Sequence, residues 1–190
     1  MNTRSASAIF IILGSAFALS SAPALSAGNT KFGTNALLSL NGNNNSAFGE
    51  SALRNNTSGY DNTAVGYQSL YTNLIGYQNT ATGSQSLLAN TTGNLNTASG
   101  FDALRRNTTG GSNTATGARS LTFNTAGFNN TATGLSSLGG NTTGSYNTAS
   151  GSQALFSNTT GNNNTANGSV ALYSNTIGSN NTGIGVSALQ

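Results

Sequence analysis

The feature that most constrains this chain is an unbroken seventeen-residue period. With NTA as the phase, the register restarts at Asn45, Asn62, Asn79, Asn96, Asn113, Asn130, Asn147, Asn164 and Asn181, without insertion between 45 and 180. That gives eight full repeats over 45–180 and a partial last copy over 181–190. A degenerate first copy, one residue shorter, occupies 29–44 and begins NTKFGTNALLSL. A fixed period of this kind marks a tandem array in which each unit packs only on its neighbours.

The consensus reads N-T-A-x-G-x-x-[AS]-L-x-x-N-T-T-G-x-x. Position five is glycine throughout, at Gly49, Gly66, Gly83, Gly100, Gly117, Gly134, Gly151, Gly168 and Gly185. Position nine is leucine throughout, at Leu53, Leu70, Leu87, Leu104, Leu121, Leu138, Leu155, Leu172 and Leu189. Position fifteen is glycine from Gly59 to Gly178. Two glycines per repeat, flanked by Thr and Asn, disfavour a helix. Two short extended segments fit better, one at N-T-A-x and one at [AS]-L-x-x, with both glycines taking positive φ at the corners.

The expected fold class is therefore all-β. It is a parallel β-solenoid with one coil per repeat, forming a single domain over 28–190 with coils ~4.8 Å apart and a rod ~45 Å long. Alternation sends the Ala of N-T-A-x inward and its Thr outward. The leucines form an apolar spine. The Asn at positions one and twelve admits two readings, stacked amide ladders or simple turn formers. One Leu and one or two small apolar residues per coil make a thin core for the backbone that must be ordered. Chains that share their Leu spines on a common axis would thicken it, so a homo-oligomer is expected.

Residues 1–27 differ from the rest. Arg4 precedes an apolar run from Ala8 to Leu19, and small residues follow at Ala22-Pro23-Ala24 and Leu25-Ser26-Ala27. This is the pattern of a secretory signal peptide, with a run too short to span a bilayer. A secreted or cell-surface location follows, with no transmembrane segment in the mature chain. Beyond residue 27 there is no Pro, His, Cys, Met or Trp, and Lys31, Arg54, Arg105, Arg106 and Arg119 face Glu50, Asp61 and Asp102, a net of +2. Arg105-Arg106 is the only adjacent basic pair, too little for a nucleic-acid partner. Without His or Cys there is no standard triad, thiol nucleophile or soft-metal site, and the three carboxylates, Glu50 at position six, Asp61 at position seventeen and Asp102 at position seven, form no evident acid/base pair. No enzyme activity, cofactor or metal is expected. The NTT triplets at Asn90, Asn107, Asn141 and Asn158 match the glycosylation acceptor pattern, but the repeat itself demands them at a corner.

NSAFGESAL (45–53), NTAVGYQSL (62–70) and NTGIGVSAL (181–189) resemble the head repeats of YadA-like trimeric autotransporter adhesins. The fuller NTAxGxxALxxNTTG form is similar to repeats of bacterial surface proteins and phage tail-fibre shafts. The resemblance covers 29–190. It implies a trimeric, left-handed parallel β-roll whose outer face binds a host-surface, matrix or glycan ligand. The coils here are longer than the family's usual repeat. No heptad stalk and no set of barrel strands accompany them, so self-export is not expected of this sequence.

Recognition is expected at the variable positions, where aromatic and basic side chains sit on a regular scaffold. The candidates are Tyr67, Tyr71, Phe101, Arg105, Arg106, Tyr146, Phe156 and Tyr173. Tyr77, Phe123 and Phe128 share those positions. A second functional reading comes from the outward Thr of TAT and TAS, as in Thr80/Thr82, Thr97/Ser99, Thr114/Thr116, Thr131/Thr133 and Thr148/Ser150. Regular Thr ranks on a flat solenoid face resemble ice-binding surfaces. Phe48, Val65, Asn167 and Ile184 interrupt the second rank. An inert spacer is the third reading.

Overall fold

The computed structural model describes residues 28–38 and 42–190; the expected signal peptide, 1–27, lies outside them. Ten three-residue strands follow one another: β1 (Thr30–Phe32), β2 (Ser46–Phe48), β3 (Thr63–Val65), β4 (Thr80–Thr82), β5 (Thr97–Ser99), β6 (Thr114–Thr116), β7 (Thr131–Thr133), β8 (Thr148–Ser150), β9 (Thr165–Asn167) and β10 (Thr182–Ile184). They pair in chain order into one parallel sheet. Among the described residues there is no helix, and none therefore that is long and apolar enough to cross a membrane.

The register copies the sequence period. Thr114 pairs with Thr131, and Ala115 with Ala132. Thr30 pairs with Ser46, so the shorter first copy is absorbed before β2 and costs no slippage afterwards. A one-residue slip would swing every strand Ala outward, and the alternation of buried Ala with outward Thr forbids it. The chain is thus an all-β parallel β-solenoid, one strand per coil.

Three kinds of side chain fill each coil: small residues at positions three and eight, the Leu of position nine, and the Asn of positions one and twelve. The strand alanines, from Ala47 to Ala166, are fully buried. The Leu row is equally closed: Leu53, Leu70, Leu87, Leu104, Leu121, Leu138 and Leu155 show no exposed surface, Leu172 shows 4 %, and Leu37 of the first copy joins them. Leu189 departs from the row, being 66 % exposed. The third kind is polar. Asn113 Nδ2 donates to Asn96 Oδ1 at 3.1 Å and to the Gly127 carbonyl at 2.8 Å, and Asn113 Oδ1 accepts from the Asn130 backbone N–H at 3.0 Å. A second ladder runs through position twelve, where Asn107 Nδ2 donates to Asn90 Oδ1 and to the Gly110 carbonyl. Of the two readings open for these asparagines, the amide ladder is the one realised. It satisfies buried polar groups that would otherwise carry a desolvation cost.

Two sequence expectations need correction. The segment [AS]-L-x-x is not a second strand. Positions seven and nine adopt left-handed backbone, with Arg119 at φ 58° and Leu121 at φ 48°. The Arg119 N–H bonds back to the Phe101 carbonyl and the Leu121 N–H forward to the Ser137 carbonyl. Successive N–H groups therefore reach opposite neighbours without an extended chain. A left-handed leucine costs about 1–2 kcal/mol. Its full burial contributes about 1.5–3 kcal/mol, which is enough to hold it.

The glycines also divide. Gly117 has φ +126°, and a Cβ there would lie 2.6 Å from the Gly134 carbonyl oxygen, so both backbone and space require glycine. Gly110, at position fifteen, is not at positive φ. It is required by space alone, because a Cβ would lie 2.4 Å from both Asn107 Oδ1 and the Gly127 carbonyl oxygen.

The closed Leu row also removes the reason given for oligomerisation. These leucines are consumed inside one chain, and a shared axial spine is not available to join several.

Candidate functional site

With Ala, Leu and Asn turned inward, the variable residues are left on three outer surfaces, and each behaves differently.

The strand face is flat and repetitive. Across β4 to β8, two in-register ranks of hydroxyls stand exposed: Thr80, Thr97, Thr114, Thr131 and Thr148 in one, Thr82, Ser99, Thr116, Thr133 and Ser150 in the other. Toward β1 the second rank becomes apolar, with Phe32, Phe48 and Val65 aligned by the register and exposed. Toward β10 it ends in Asn167 and Ile184.

The corner at positions sixteen and seventeen carries aromatic pairs. Tyr60 and Tyr77 stack at 5.0 Å with planes 2° apart, and Phe128 meets Tyr146 edge-on at 5.1 Å. Tyr60 was not among the sequence candidates. Its signal was the coil spacing itself, because residues seventeen apart lie one above the other.

The third surface combines positions seven, ten and eleven, and it holds a recess of about 440 Å³. At position ten the neighbouring coils carry Arg105, Thr122, Phe156 and Tyr173, but this coil carries Gly139, followed by Gly140. The missing side chain opens a gap into which the Phe156 ring leans, its Cε2 lying 3.0 Å from where a Gly139 Cβ would stand. Tyr173 stacks on Phe156 at 5.4 Å from the next coil. On the opposite side the Arg106 guanidinium sits 4.8 Å over the Phe123 ring. Asp102, Arg105, Arg119, Ser136 and Gln153 complete the lining.

Charge is concentrated here. Three arginines and one aspartate line the recess, a net of +2, and they are half of the eight charged side chains beyond residue 27. Asp102 Oδ1 and Arg105 Nε face each other at 3.3 Å, both shielded from solvent and without hydrogen-bond alignment. That pair cancels locally. Arg106 is held over an aromatic face, and Arg119 makes no ion pair or side-chain hydrogen bond among the described residues. Two cationic forks are thus left to face the recess.

The eight sequence candidates therefore separate. Arg105, Arg106 and Phe156 line the recess, and Tyr173 supports it from behind. Tyr71 lies on the same position-ten row four coils earlier than the Gly139 gap, where Arg54 rests over its ring at 5.8 Å and donates to its hydroxyl. Tyr146 belongs to the other corner, and Tyr67 and Phe101 stand exposed at position six without a ring partner among the described residues. Sequence reasoning missed the contribution of position seven, because Asp102, Arg119, Ser136 and Gln153 join this surface through left-handed backbone that spacing alone does not reveal.

No group of His, Cys, Asp or Glu able to hold a metal ion occurs among the described residues. Comparisons with family models, curated proteins and solved structures give no match for this chain.

Proposed function

We propose that the chain is a non-enzymatic, secreted or cell-surface contact module, an adhesin-like β-solenoid that presents variable side chains on a self-sufficient scaffold. One observation carries this reading: half of the charges beyond residue 27 and two aromatic supports converge on a single recess, while the scaffold satisfies its own polar groups through ladders. A spacer would have no use for that convergence. The resemblance to trimeric adhesin heads adds a homotrimer to the proposal. Such a trimer would have to use an outer face, and Phe32, Phe48 and Val65 offer the apolar end of the strand face.

Adhesion of residues 28–190 to immobilised matrix and cell surfaces, with light scattering on the same sample, tests both parts. Retained assembly with adhesion lost in a Tyr71→Ala/Tyr173→Ala variant supports the contact module. A compact monomer removes the trimer.

A second reading, ice binding, is favoured by the two hydroxyl ranks of β4 to β8, which repeat at ~4.8 Å across strands and ~6.6 Å along them. Thermal hysteresis that disappears in Thr114→Tyr supports it, and its absence in the unaltered chain eliminates it.

A further inference from the structure

We infer that the Gly139 recess binds an acidic saccharide, a sugar ring carrying a carboxylate. The inference rests on the contact-module reading and names its ligand class. The recess, at about 440 Å³, has the size of a small-ligand site. Two aromatic rings line it: Phe123, with the Arg106 guanidinium over it, and Phe156, backed by Tyr173. Fixed aromatic faces suit the C–H faces of a sugar ring, which is apolar on its faces and polar around its edge. Ser136, Gln153 and Asp102 supply hydroxyl partners at that edge. Arg106 and Arg119, whose charge the Asp102–Arg105 pair leaves uncancelled, fit a carboxylate through planar two-point hydrogen bonding.

The alternatives fit less well. A nucleic-acid strand needs a continuing track of cations, but the arginines here end within two consecutive coils. A bare inorganic anion would make no use of the aromatic rings. The glycine at 139 lets the Phe156 ring settle against the backbone as a wall of the recess; the same row carries Thr122 one coil before and Phe156 one coil after, so the scaffold accepts side chains at this position.

Calorimetric titration of the purified chain with trigalacturonate tests the assignment, alongside fully methyl-esterified trigalacturonate and sodium sulfate. The expected result is saturable binding of the acid, weakened about tenfold or more by esterification and by Arg106→Gln or Arg119→Gln. Gly139→Thr, which puts a side chain against Phe156, is expected to weaken it similarly, with each variant's circular dichroism unchanged. Absence of binding by the unaltered chain overturns the inference. So does equal binding by the arginine variants, equal binding of the ester, or displacement by sulfate at equal concentration. Matrix and cell adhesion measured on the same samples separates the two claims. Adhesion without uronate binding leaves the contact module standing and removes its acidic-saccharide ligand. Arginine-dependent uronate binding without adhesion supports the recess and removes the module's role in attachment.

Discussion

The strand face and the surface of positions seven, ten and eleven are built by the same coils, yet they follow opposite rules. On the strand face β4 to β8 repeat Thr-Ala-Thr or Thr-Ala-Ser, so that from coil to coil Thr meets Thr in the first rank, Ala meets Ala, and one hydroxyl meets another in the second rank. On the other surface consecutive coils carry Arg105-Arg106, Thr122-Phe123, Gly139-Gly140 and Phe156-Ser157, and no coil duplicates its neighbour. Repetition gives uniform hydration and a continuous ladder. Individuality gives one place that differs from all others, and a recess with a charge of its own. The difference locates recognition where the period is broken, because an array that is identical everywhere cannot distinguish one site along its length.

This comparison can be broken most forcefully at the corner that joins the two surfaces. Gly117→Ala places a Cβ against the Gly134 carbonyl in a backbone region open only to glycine, and a loss of about 4 kcal/mol or more is expected in denaturant unfolding. Asn113→Ala comes next. It removes an amide that both donates to Asn96 and Gly127 and accepts from Asn130, leaving buried partners unpaired, for a loss of about 3 kcal/mol. A cost below about 1 kcal/mol would show that the amide ladder is dispensable. The third test acts in the opposite direction. Val170 is a β-branched residue held at φ 53° where other coils place Gln, Ser, Asp or Arg, so Val170→Asn should raise stability by about 1 kcal/mol. A fall in its melting temperature would mean that the Val170 side chain is needed for packing.

The smallest effect on stability is expected on the strand face. Thr114 is exposed, and Thr114→Tyr should change unfolding by no more than about 0.5 kcal/mol. Any functional change in that variant would then belong to the face itself and not to lost structure. Asn113→Ala and Thr114→Tyr alter adjacent residues on opposite sides of one coil wall, so the contrast between them measures how far the inside and the outside of the solenoid are independent.

Much of the candidate site was readable as a list of residues but not as a place. Arg105, Arg106 and Phe156 stood out as bulky or charged members of variable positions. Asp102 and Arg119 are also seventeen residues apart, which puts them one above the other, and with Arg105 and Arg106 they gather half of the charges beyond residue 27 into two coils. That spacing was a usable signal. The Gly139-Gly140 gap was not, because a glycine pair in a glycine-rich chain carries no mark until the Phe156 ring is seen to lean over it.

The sequence by itself determined the period, the single parallel array, the inward Ala and Leu, and the outward Thr. Each follows from a choice repeated in every coil, and repetition turns a weak local preference into a strong constraint. Only the tertiary structure decided the backbone of positions seven and nine, since a leucine at positive φ is disfavoured locally and persists because neighbouring coils accept its N–H and enclose its side chain. It also decided that the Leu row closes within one chain. Which surface a side chain joins depends on the turn of the backbone beneath it, and that turn is fixed by contacts with the coils on either side.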